Sequence, residues 1–113
     1  MVFIDDNLTD TQNYALEKFK ERVQNQFEIE EIYLFGSYAR GQASEESDLD
    51  VLVITSRFLE RKERHLITDI AFEVNLKYGT NISTTVVYRE NWKQGEFSFL
   101  PISREIKREG ILI

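Results

Sequence analysis

From Asp10 to about Gln26 the chain places apolar residues at helical spacing, through Leu16, Phe19, Val23 and on to Phe27. That spacing lays an apolar stripe along one side of an α-helix. Thr9 and Gln12 stand three apart at its start, the arrangement of a capping box, in which each side chain satisfies the other's backbone N–H. Ile32 to Phe35 is a short apolar run ending at Gly36, the pattern of a buried strand. Asp48 to Ile54, rich in Val, Ile and Leu, suits a strand covered on both faces. Between the two, Ser37 to Ser47 is polar and small, with Gly41 breaking it after one helical turn. Helical spacing returns over Phe58 to Tyr78 through Leu59, Leu66, Ile67, Ile70, Ala71, Val74 and Tyr78, and Gly79 is its natural stop. Ile82 to Tyr88 is β-branched and aromatic, a third strand. Ile102 and Ile106, one turn apart, place a last helix from about Phe99 to Glu109, which Gly110 ends, and Ile111 to Ile113 adds a short terminal strand.

The predicted order is α-β-turn-β-α-β-α. It implies an α/β (α+β) architecture, a small mixed β-sheet with helices packed mainly on one face. The 113 residues make one domain, 1–113, with no internal repeat or low-complexity tract. Zero cysteines exclude a disulfide framework, a zinc knuckle and a thiol nucleophile. No apolar run approaches membrane-spanning length, and no basic start is followed by an apolar stretch, so a cytoplasmic location without a membrane partner is expected. The net charge of −6 disfavours broad nucleic-acid binding, which needs a basic face. Acidic residues instead gather at Glu45, Glu46, Asp48 and Asp50.

Asp48 and Asp50 project from the same face of the second strand, and Leu52 and Ile54 continue that face into apolar territory. Two carboxylates so placed raise one another's pKa or recruit a cation. Oxygen ligands with no His or Cys nearby suit Mg²⁺ or Mn²⁺, and Mg²⁺ commonly shares such a site with substrate phosphates. Gly36 and Ser37 supply the other half. A glycine leaving a strand lets backbone approach a ligand, the amides of the following turn hold phosphate oxygens, Ser37 adds a hydroxyl and Arg40 a charge. Taken singly, a Gly-Ser is an ordinary turn and an Asp-x-Asp an ordinary solvated strand start. Together, with ten residues between them and each tied to a strand, they describe a metal-assisted site for a nucleoside triphosphate (NTP).

The stretch Leu34-Phe35-Gly36-Ser37-Tyr38-Ala39-Arg40-Gly41, followed by Ser47-Asp48-Leu49-Asp50-Val51-Leu52-Val53, resembles the signature of the minimal nucleotidyltransferases. These belong to the DNA polymerase β-like nucleotidyltransferase superfamily. The resemblance implies a nucleotidyltransferase fold and a two-metal transfer of a nucleoside monophosphate from an NTP, with ATP the expected donor. It assigns Asp48 and Asp50 to the catalytic metal pair and Gly36 and Ser37 to the triphosphate turn; Arg40, from its charge beside that turn, is a further candidate for phosphate contact. Family members of this size also occur as antitoxins of HEPN-type ribonuclease toxins, and some transfer AMP onto a tyrosine of the toxin.

The family's third carboxylate has no counterpart here. The strand Ile82 to Tyr88 carries no acid, and Thr84 is expected at that position. A second reading follows, a weak or inactive nucleotidyltransferase-like module acting as an antitoxin or regulatory subunit. Of the remaining residues, His65 belongs to a solvated helix face. The mixed run Arg57 to Arg64 reads as helix pairing and is open to an acidic partner. Tyr38 either stacks on a base or packs over its loop. Phe97 and Phe99, flanking Ser98, leave apolar surface suited to a protein partner or a second copy.

Overall fold

The computed structural model describes residues 7–41 and 48–113; Glu45, Glu46 and Ser47 lie outside the described residues. Helix α1 (Asp10–Gln26) opens on the predicted capping box: Gln12 N–H donates to Thr9 Oγ1 at 3.1 Å and Thr9 N–H donates to Gln12 Oε1 at 2.9 Å. Strands β1 (Ile29–Phe35) and β2 (Leu49–Thr55) follow, then α2 (Arg61–Tyr78), β3 (Ile82–Tyr88), α3 (Arg89–Lys93), a 3-10 turn over Glu96–Phe99, α4 (Pro101–Glu109) and β4 (Ile111–Leu112).

Most boundaries agree with the hydrophobic pattern, and the exceptions have local causes. β1 starts three residues before Ile32, because Ile29-Glu30-Glu31 alternates in burial instead of forming an apolar run. α2 starts at Arg61 rather than Phe58. Glu60 is extended, at φ −71° and ψ 165°, and its N–H donates to the Glu63 carboxylate at 3.2 Å, which caps the helix there. Gly79 ends α2 in the left-handed region, at φ 67°. The unpredicted α3 is five residues long with one buried residue, Trp92, too short for a period to show.

The four strands lie in the order β3-β2-β1-β4; β1 runs antiparallel to β2 and β4, and β2 parallel to β3. Alternation divides the side chains between two faces. Ile32, Leu34, Leu49, Val51 and Val53 meet Leu16, Phe19 and Val23 of α1 and Ile67, Ile70 and Val74 of α2 in the larger cluster. Tyr33, Phe35, Leu52, Ile54 and Val87 meet Trp92, Phe97, Ile102 and Ile106 in a smaller one. The two long helices therefore share one face, and the short C-terminal elements close over the other. Cover on both sides is why β2 reads as a nearly continuous apolar run. Phe97 packs beside Trp92, with ring centroids 6.1 Å apart, whereas Phe99 is 74% exposed. No described helix is long and apolar enough to cross a membrane.

Candidate active site

The β1–β2 register places Phe35 opposite Asp50, so the chain leaves β1 at Gly36 beside that carboxylate. Gly36 has φ 79°, and a Cβ built on it would overlap Asp50 Oδ2 and lie 3.4 Å from Asp50 Cγ. Glycine serves here twice: it suits the backbone angle, and it leaves the Asp50 carboxylate in a place from which a Cβ would push it aside. The chain then makes the predicted helical turn: Arg40 N–H donates to the Gly36 carbonyl and Gly41 N–H to the Tyr38 carbonyl, each at 3.2 Å. Ser37 is half-buried in that turn. Tyr38 is buried, and its hydroxyl accepts from Gln12 Nε2 at 2.8 Å. Of its two sequence readings, packing is the one it adopts, pinning the turn to the start of α1.

Asp48 is exposed, one residue before β2 begins, and Asp50 is half-buried within the strand. Asp50 shares its face with Leu52 and Ile54, as alternation requires. Burial raises the Asp50 carboxyl above its ordinary range, the charge on Asp48 adds to the rise, and the Arg40 guanidinium opposes it. Among the described residues neither carboxylate has a hydrogen bond or an ion pair. Two oxygen donors, one of them partly desolvated, fit a hard divalent ion such as Mg²⁺ or Mn²⁺. Among the described residues no group of three or more His, Cys, Asp or Glu side chains is placed to hold a metal.

Arg40 reaches across to α4, where it is ion-paired with Glu105 and lies 3.9 Å from Glu109. Sequence reasoning missed both glutamates. Their i, i+4 spacing was the available signal, since it sets them on one side of a short helix. Arg40 thus links the turn to α4 while its charge is still felt at Asp50.

The position expected for Thr84 needs correction. In the parallel β2–β3 ladder Ser83 stands opposite Asp50, Thr84 opposite Val51 and Thr85 opposite Leu52. Residues opposite one another point to the same face, so Thr84 points towards α2, and Ser83 and Thr85 share the face of Asp50. Neither is an acid. His65 is exposed on α2, as its neighbours in sequence imply.

The family model described as the nucleotidyltransferase domain matches residues 16–113. The chain belongs to that family. One relative, named as a candidate protein adenylyltransferase of Methanocaldococcus jannaschii, is 42% identical over 79 residues, covering 66% of this chain and 54% of the relative. This nucleotidyltransferase domain thus matches about half of that relative's length. A second candidate protein adenylyltransferase of the same organism is 32% identical over 99 residues, 85% of this chain and 91% of the relative. Among solved structures, a toxin–antitoxin with AMP-PNP superposes with a TM-score of 0.59 at 17% identity, covering 92% of this chain and 72% of that one. At that identity the superposition speaks for the fold.

Proposed function

We propose that this nucleotidyltransferase domain, acting as one unit in the cytoplasm, binds an NTP with Mg²⁺ or Mn²⁺ and transfers the nucleoside monophosphate to a hydroxyl of a protein partner, which loses its proton as pyrophosphate leaves. ATP is the proposed donor and a HEPN-type toxin the proposed partner. The observation that carries the reading is the contact between the Gly36 turn and Asp50, which brings a backbone turn suited to phosphate and a carboxylate suited to a metal to one spot. The relatives named as candidate protein adenylyltransferases and the toxin–antitoxin structure with AMP-PNP support it.

In this reading the amides of the Gly36–Ser37 turn and the Ser37 hydroxyl donate to the triphosphate, and the Arg40 guanidinium lies close enough to add charge. Asp48 and Asp50 would hold the cation, which would supply charge stabilisation to an in-line displacement at phosphorus. Leu52 and Ile54 continue the face of Asp50 into an apolar cluster, and burial leaves the carboxylate partly desolvated. A second reading, a binding module with little or no turnover, is favoured by the hydroxyls of Ser83 and Thr85 where an acid would be needed.

The test is transfer of label from α-labelled ATP, with Mg²⁺ or Mn²⁺, into a lysate of the source cells. The wild type is compared with the Asp48→Asn, Asp50→Asn double variant. Label on one protein band with the wild type alone is the expected result. Absence of label with every nucleotide tried overturns transfer and leaves the binding module.

A further inference from the structure

β3 forms one edge of the sheet, and among the described residues no strand lies beyond it. The N–H and C=O groups of a strand alternate in pairs between its two sides. Leu49 N–H donates to the Asn81 carbonyl at 2.8 Å, which sets the parity: Asn81, Ser83 and Thr85 turn towards β2, and Ile82, Thr84 and Val86 turn outward. At Ile82 a side chain fills the place of a neighbouring strand. Ile82 N–H donates to Asn75 Oδ1 at 2.7 Å, and Asn75 Nδ2 donates to the Ile82 carbonyl at 3.0 Å. The outward groups of Thr84 and Val86 have no equivalent partner among the described residues. The strand also lacks the usual edge protection, having no charged residue, no proline and no bulge against β2.

A groove of about 260 Å³ runs beside these two residues, on the sheet face opposite Asp50. Thr84 and Val86 form one wall; Arg61, Arg64, His65 and Thr68 of α2 form the other. Arg64 Nη1 is fixed by the Leu59 carbonyl at 2.7 Å, and Arg61 and His65 are exposed without an ion pair among the described residues. Such a concentration of basic groups stands out in a chain of net charge −6.

We propose that the β3 edge and this groove bind an extended acidic segment of another protein. The segment adds as a strand through the backbone of Thr84 and Val86. Its alternate side chains, on the α2 side, bring carboxylates to Arg61, Arg64 and His65. Charge selects the occupant. A second copy of this chain pairing antiparallel about Thr85 keeps both α2 layers on the same side, so its basic groove meets the first one. A nucleic acid meets the charge but not the edge, because phosphate oxygens accept hydrogen bonds and offer the outward carbonyls none. The inference is independent of the nucleotide chemistry on the other face.

The probe is a fluorescein-labelled heptapeptide, Glu-Thr-Glu-Val-Glu-Thr-Glu, tested beside its Lys-for-Glu counterpart and a single-stranded oligonucleotide. The full chain should raise the anisotropy of the acidic peptide alone, and binding should weaken about tenfold as salt screens the charges. Amide exchange should slow at Thr84 and Val86, whereas Ser83, Thr85 and Val87, which turn towards β2, should not change. Arg61→Glu with His65→Glu should lower affinity by roughly tenfold, the effect expected of losing charge-assisted contacts. Thr84→Pro removes an outward N–H without touching the β2 ladder and should abolish the slowed exchange at Val86. Binding of the lysine peptide as tight as the acidic one, competition by the oligonucleotide, or unchanged exchange at both residues overturns the proposal. So does failure of the acidic peptide to bind.

Discussion

Gly36 and Asp50 meet where β1 ends and β2 begins: the backbone of one lies against the carboxylate of the other, and a Cβ on Gly36 would displace the Asp50 Oδ2 atom. Gly36→Ala therefore combines a left-handed backbone angle with a displaced Asp50. Its cost should be about 1–3 kcal/mol. Gly79→Ala is the matched control, because Gly79 has a similar φ of 67° and nothing within 4 Å of its Cβ position. Urea denaturation of the two variants should show the larger loss at Gly36, and only that variant should lose Mg-ATP affinity by calorimetry. Equal losses on both counts would mean that the Gly36–Asp50 contact has no role.

The raised pKa of Asp50 has a definite sign for stability. The folded state holds its proton more tightly than the unfolded state, so this group favours folding in acid and that contribution fades as pH rises through the folded pKa. Asp50→Asn should accordingly raise the melting temperature by a few degrees at neutral pH, with the gain vanishing below the ordinary aspartate range. Cation binding needs the ionised form. Mg²⁺ affinity should then fall, on acidification, at a higher pH than for an ordinary aspartate. Melting curves and Mg²⁺ titrations followed from neutral pH to below the ordinary aspartate range check both. In the Asp48→Asn, Asp50→Asn double variant Mg-dependent triphosphate binding should disappear and the fold persist.

Glu105 competes for the guanidinium that the triphosphate is proposed to use. The pair is partly exposed, so Glu105→Gln should change stability by less than about 1 kcal/mol. Removing the competitor should tighten triphosphate binding roughly threefold, within the range of such exposed pairs, and Arg40→Ala should weaken it. Weaker binding in Glu105→Gln would instead make the glutamate a positioner of Arg40.

Placing a carboxylate on β3 distinguishes its two faces. Ser83→Asp or Thr85→Asp adds an acid on the side of Asp50; Thr84→Asp adds one towards α2. In the transfer assay the first two should raise the rate or the Mn²⁺ affinity, by tenfold or more if the missing group is a general base. Thr84→Asp should do neither. A gain from Thr84→Asp alone would contradict the parallel register.

What the sequence made legible follows from period and chemistry. The stripe Leu16–Phe19–Val23, the Thr9/Gln12 box and the stop at Gly79 each have one local solution, and α1 and the end of α2 adopt it. The Gly36 turn and the alternation of Asp50 with Leu52 and Ile54 were legible for the same reason. Pairing between strands was not. Whether Thr84 or its neighbours face Asp50 depends on which β2 residue each one opposes, and no residue of β3 announces that. The Arg40–Glu105 pair was hidden likewise, since 65 positions separate its members. Leu66 fitted the helical stripe of α2 and is nonetheless 48% exposed, because it stands at the stripe's margin where the sheet no longer reaches.

The location of Asp50 on a central strand has a consequence for how this protein fails. Val51 and Val53, its strand neighbours, are fully buried against α1 and α2, and Leu52 is fully buried on the other side. Sliding β2 by one residue would drive Asp50 into the larger cluster and expel Val51 and Val53 from it. No partly shifted state of comparable energy is available to the strand. Heat or denaturant should therefore extinguish ligand binding and tertiary structure along a single curve, and a dormant folded form with a misaligned site should not accumulate.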